Sequence, residues 1–146
     1  MTCWHLLERR AKTEWDKAVE AVSQVRSRLE EQQMLCERVQ KITEQYQEKI
    51  KATQGSAKHF GDIQLYRNSL KDMQQAVGSI RRQIAILELE LTRKRSLLTQ
   101  VEIERQKYRK LIERDKERVA KAAARQEARV LDEIGGQRHY RKTKLA

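Results

Sequence analysis

Between Ile63 and Val101 the chain places a residue of one kind at alternating steps of three and four: Ile63, Tyr66, Leu70, Met73, Val77, Ile80, Ile84, Leu87, Leu91, Lys94, Leu98 and Val101. Only Lys94 breaks the apolar series, and the residues between are mostly Gln, Arg, Lys, Glu, Asp and Ser. A repeat of about 3.5 residues keeps one apolar seam on an α-helix, and such a seam is buried by winding against a second helix. A strand needs a period of two, which the run does not show over any useful length. The run therefore predicts an all-α chain built on a coiled-coil helix, and the first question is what it pairs with.

Composition supports long helices. The 146 residues include no Pro, and 36% are charged, so helices can run without interruption. Aromatic residues make up only 5% of the chain, which argues against a compact layered core and for a single elongated domain over residues 1–136. Cys3 and Cys36 have no metal-ligand spacing with each other or with His5, His59 or His139, and Cys36 falls on an apolar stripe as a small buried hydrophobe. The opening residues lack the apolar segment of a signal peptide, and no run approaches the ~20 apolar residues of a spanning helix. A cytoplasmic location is expected.

The first helix is predicted over residues 2–53. Its stripe is Trp4, Leu7, Ala11, Trp15, Ala18, Val22, Val25, Leu29, Gln32, Cys36, Val39, Thr43, Tyr46 and Ile50. Two successive steps of four, from Leu7 to Ala11 to Trp15, form a local shift that relaxes the supercoil there. The stripe is thinner than the second one, because Ala11, Ala18, Gln32 and Thr43 bury little.

Residues 54–61 break the periodicity with two glycines and a serine. Gly55 suits a helix C-cap and Asp62 an N-cap for a second helix over 62–134. A connection this short joins antiparallel neighbours. Folding the chain there sets Ile50 near Ile63, Val39 near Met73 to Val77, Leu29 near Leu87, Val22 near Leu91, and Trp4 near Ile112. Two independent stripes thus match down the whole overlap. This predicts an antiparallel coiled-coil hairpin within one chain, a monomer in solution. Small Ala18 would lie opposite Lys94, whose long stem can cover it.

The second helix outlasts the first. A helix over 62–134 is roughly 110 Å long against roughly 78 Å for 2–53. Residues 113–134 should therefore project beyond the N-terminus without an intramolecular partner. The segment is rich in Ala, Arg, Lys, Glu and Gln, which hold a helix on their own propensity. The tail, residues 137–146, reads as basic and disordered. On the outer face of the paired region, Ile86 and Leu89 point away from the seam. They are either scattered surface hydrophobes or a docking patch for another protein.

The chemistry of catalysis is missing from the pattern. There is no Gly-rich phosphate loop, the three histidines are scattered, and a two-helix seam offers no concave pocket to desolvate a nucleophile. Neither an enzyme nor a bound cofactor or metal is expected. The net charge is +11, and the basic excess grows toward the C-terminus. It favours an acidic partner surface, an anionic membrane surface or nucleic acid. Glu113, Asp115, Glu117 and Glu127 interleave with the basic residues and repel phosphates, so a nucleic-acid-binding coiled coil is the alternative rather than the leading reading.

Three stretches are similar to the flagellar FliJ family, a component of the flagellar type III export apparatus. Tyr66-Arg67-Asn68-Ser69-Leu70 with Val77 resembles the aromatic segment that opens the family's second helix. Lys110-Leu111-Ile112-Glu113-Arg114 resembles its K-L-hydrophobic-E-R stretch. Arg125 to Glu133 resembles the closing E-Q-x-x-L-D-E signature, with the order Gln126-Glu127 where many relatives have Glu-Gln. The likeness spans essentially the whole chain. A stalk of the related injectisome type III secretion system is a further alternative reading.

The resemblance implies a non-enzymatic stalk. It would dock by its terminal helices in the hexameric flagellar export ATPase, promote ring assembly, link the ring to the transmembrane export gate protein, and handle export chaperones. The chain would then sit at the inner face of the cell membrane through its partners. Carried over residue by residue, the gate-facing stripe would be Tyr66, Leu70, Met73 and Val77, although periodicity places these four on the seam. The ATPase end would present Arg114, Arg118, Lys121, Arg125 and Arg129, with Arg9 and Arg10 nearby on the first helix.

Overall fold

The structure is a computed structural model and describes residues 3–53 and 60–144. All of them are helical. Helix α1 spans Cys3–Thr53 and α2 spans Phe60–Lys144, with no strand among the described residues. The two form an all-α antiparallel hairpin in which the end of α2 has no counterpart on α1. The connection at 54–59, including the expected Gly55 cap, lies outside the described residues.

Burial follows the predicted stripes position by position. Every stripe residue of α1 from Trp4 to Ile50 and of α2 from Ile63 to Val101 is buried or half-buried, and the same spacing carries burial on through Arg105, Tyr108 and Ile112 to Asp115. The hairpin divides into two compact units, Met1–Glu14 with Val101–Ala146, and Trp15–Gln100. On α1 the division falls within the Leu7–Trp15 shift in spacing, where the seam loses its strict heptad.

In the unit Trp15–Gln100, Val22, Val25 and Leu29 of α1 cluster with Leu87 and Leu91 of α2, and Ile84 and Leu98 pack against them. Val25 and Leu87 are the most enclosed, at 3% and 4% exposure. Each such side chain contributes about 1.5–3 kcal/mol by leaving water. Two helices cannot surround a side chain completely, and no described residue is fully enclosed. Cys36 is buried and free, a small hydrophobe on the seam. Thr43, a polar seam residue, donates its hydroxyl to the Val39 carbonyl at 2.8 Å, so its presence there leaves no unmet donor. Ala18 is buried and Lys94 half-buried.

The register is close to the one expected. Tyr46 of α1 stacks at a tilt on Tyr66 of α2 in the unit Trp15–Gln100. In the other unit Trp4 meets Tyr108, one turn short of the expected Ile112.

Both expected limits of the second helix need correction. It begins at Phe60 rather than Asp62, which places Asp62 in the first turn instead of at the N-cap. A carboxylate there still meets the positive end of the helix dipole. At the other end the helix does not stop near Gly135-Gly136 before a disordered tail: it runs on to Lys144. Neither glycine takes a positive φ. Two glycines cost about 1 kcal/mol each relative to Ala, but a helix already nucleated upstream continues without a second nucleation cost. Arg141, Lys142 and Lys144 in the last turn complement the negative end of the dipole. Thr143 closes the turn by donating to the His139 and Tyr140 carbonyls.

Candidate docking surfaces

The long end of α2 is exposed along its whole length. Asp115 is the last half-buried seam residue, and every residue from 116 to 144 is exposed. The unpartnered stretch is thus longer than the expected 113–134. Within it Arg118, Lys121, Arg125 and Arg129 continue from Arg114 at steps of four, three, four and four, which keeps all five on one face of the helix. All five are exposed, and none makes an ion pair among the described residues. Another face carries Val119, Val130 and Ile134, at 68%, 44% and 43% exposure, with Ala123 between them. A helix of this kind offers a partner both an apolar strip and a basic one.

The paired part of the same unit holds this helix by a contact that sequence reasoning overlooked. The Glu8 carboxylate lies 3.7 Å from Arg105 Nε and 3.6 Å from Arg109 Nε. Beside it the Trp4 and Tyr108 rings sit 6.4 Å apart. Arg105 continues the spacing of the α2 stripe, whereas Glu8 lies off the α1 stripe. The signal was available, because the antiparallel register that pairs Trp4 with Tyr108 brings Glu8 alongside Arg105. Where α1 runs out, a groove of about 340 Å³ lies between His5 and the α2 residues Ile112, Lys116, Val119 and Ala123. Arg9 and Arg10 are exposed on α1, and Arg10 borders a smaller groove with Leu7, Glu104 and Tyr108.

The other sequence-predicted stripe lies in the unit Trp15–Gln100. Tyr66, Leu70 and Met73 are half-buried, and Val77 is buried at 8% exposure. These four belong to the seam, as their periodicity indicates. The seam is not closed over them. Tyr66 is tilted against Tyr46 at 5.6 Å, and Lys49 Nζ approaches both rings, at 5.5 Å and 5.9 Å. Val77 lies in the wall of an open groove of about 510 Å³ with Thr43, Gln47, Gln74 and Gly78. Short or polar side chains on α1 leave this space unfilled. Gly78 widens it, for a methyl group there would touch nothing within 4 Å. Ile86 and Leu89, the outer-face pair, are exposed at 59% and 55%.

Among the described residues no group of three His, Cys, Asp or Glu could hold a metal ion, and no helix is long and apolar enough to cross a membrane. What the fold presents is helical surface: a two-helix seam that braces an uncovered basic helix. The sequence model of the family described as "Flagellar FliJ protein" matches residues 5–144. The chain belongs to the FliJ family, and is thereby a component of the flagellar export apparatus, in a family whose role is non-catalytic. Neither a curated protein nor a solved structure matches the chain.

Proposed function

We propose that the chain is the stalk of the flagellar export apparatus, inserting its terminal helices into the hexameric export ATPase and promoting assembly of that ring. The observation that carries this reading is the run of five exposed cations along α2, from Arg114 to Arg129, with no ion pair among the described residues. A helix with no partner of its own, basic on one face and mildly apolar on another, suits the acidic lining of a ring. Contacts of this type are individually worth about 0–1 kcal/mol and are screened by salt. Several weak contacts let a stalk stay engaged while the ring changes conformation. Arg9 and Arg10 add to the same charge.

The proposal extends to the turn-proximal stripe. Tyr66, Leu70 and Met73, with Val77 reached through the open groove, form the contact with the transmembrane export gate, and the protein also meets export chaperones. On this reading residues 1–136 act as one domain, and the chain is held at the inner face of the membrane by its partners. Nucleic acid is not a partner.

Pulldown with the purified hexameric ATPase tests the first part. The full chain binds, and a chain lacking residues 113–146 does not. Charge reversal by Arg118→Glu with Arg125→Glu weakens binding steeply at low salt. Unchanged binding by the truncated chain would overturn the proposal. Retention of nucleic acid with a steep salt slope, and no ATPase, would favour the alternative class.

A further inference from the structure

A second exposed ridge runs along α2 inside the unit Trp15–Gln100, and it belongs to neither surface described above. Arg82, Ile86, Leu89, Arg93 and Leu97 follow one another at steps of four, three, four and four, so they share one face. Ile84, Leu87 and Leu91 point into the seam, so this face looks away from α1. The three apolar members are exposed at 59%, 55% and 48%. A shallow groove of about 450 Å³ runs between Ile86, Leu89, Arg93 and Leu97 on one side and Glu90 and Lys94 on the other. Leu97 extends the pair that sequence reasoning singled out into a strip three turns long, roughly 16 Å.

Charge selects the occupant. Arg82 and Arg93 lie in the ridge and Lys94 at its border, against the single acid Glu90, and none of the four makes an ion pair among the described residues. A second copy of the chain would bring the same cations against these, so self-association is disfavoured. Apolar residues at helical spacing form a ridge that fits the groove of another helix better than an extended strand. We propose that this face is a docking site for an amphipathic helix of a partner protein, one whose Leu, Ile or Met stripe is flanked by Asp and Glu. The partner helix seats its apolar stripe over Ile86, Leu89 and Leu97, and its carboxylates meet Arg82 and Arg93.

The test uses the full chain and two stapled helical peptides about four turns long. They share a leucine stripe and differ only in flanks, glutamate in one and lysine in the other. Fluorescence anisotropy is expected to show the acidic peptide binding at least about tenfold more tightly than the basic one. Leu89→Ser with Leu97→Ser weakens the acidic peptide by a similar factor, and Arg93→Glu reverses the preference. Thermal melting of these surface variants stays that of the parent chain. A chain with Arg118→Glu and Arg125→Glu, altered only in the extension, binds the acidic peptide as the parent does. The proposal is overturned by absent binding, by equal affinity for both peptides, or by loss of binding in the extension variant with none in the Leu89 and Leu97 variant. It is also overturned if the parent chain sediments as a dimer that Leu89→Ser dissociates, which would assign the face to a second copy.

Discussion

One helix, α2, lives under two regimes. Between Ile63 and Asp115 its apolar stripe is covered by α1 and packing decides its stability. From 116 to 144 nothing covers it, and it stands on backbone hydrogen bonds and residue propensity alone. The two stretches look alike in composition, since both are rich in Arg, Lys, Glu and Gln. The difference is at the stripe. Ile84, Leu87 and Leu91 recur at strict seam positions, whereas in the extension the same line holds Val119, Ala122, Gln126 and Arg129, with Val119 its one large apolar residue. A helix stripe that thins in apolar residues without losing its helix formers stays helical while remaining uncovered.

Substitutions in the two stretches should sharpen this contrast. The largest effect belongs to the core of the unit Trp15–Gln100. Leu29→Ala or Leu87→Ala should cost about 2–5 kcal/mol, because a seam two helices thick closes poorly over a cavity. Chemical denaturation followed by circular dichroism reads this directly, and a loss below about 1 kcal/mol would break the claim that packing rules this stretch.

Next come the glycines of the extension. Gly135→Ala and Gly136→Ala should each stabilise the helix locally by about 0.5–1 kcal/mol, since an added methyl meets nothing within 4 Å at either position. The readout is amide hydrogen exchange across 130–144, which should slow there and remain unchanged around Leu87. Unaltered exchange would mean that the segment is not held by propensity.

Glu8→Gln should be milder, at about 0.2–1 kcal/mol, because Arg109 is 56% exposed and its half of the clamp is screened by water. The loss should shrink with added salt. A salt-independent loss would point to packing around Trp4 and Tyr108 instead of charge.

The smallest change is expected in the uncovered stretch of α2. Val119→Ala or Leu131→Ala should shift unfolding by no more than about 0.5 kcal/mol, as each is 68% exposed. The same pair measured with the export ATPase present tests whether that exposure is a property of the free chain alone.

Much of this was legible beforehand. The two stripes named every buried residue of the seam, the shift in spacing from Leu7 to Trp15, and the existence of an uncovered extension. The FliJ resemblance carried by Tyr66 to Val77, Lys110 to Arg114 and Arg125 to Glu133 agrees with the family match over residues 5–144. Less legible were the ends. Gly135-Gly136 looks like a stop signal locally, yet a helix propagating from a packed segment passes through it. The candidate surfaces were legible as residue types and only partly as surfaces. Periodicity could not say that the seam beside Val77 stays open, because that depends on how far the short side chains of both helices fall short of each other.

Sequence alone determined the helical period, the antiparallel pairing and the length mismatch, since all three follow from spacing along one dimension. Tertiary structure decided what lies across the seam: that Glu8 reaches Arg105 and Arg109, that the Trp4 ring sits against Tyr108, and that Leu97 joins Ile86 and Leu89 on an uncovered ridge. Those facts depend on the azimuth of one helix against another, which a single stripe leaves free by a turn and which only the packing of both sets of side chains removes.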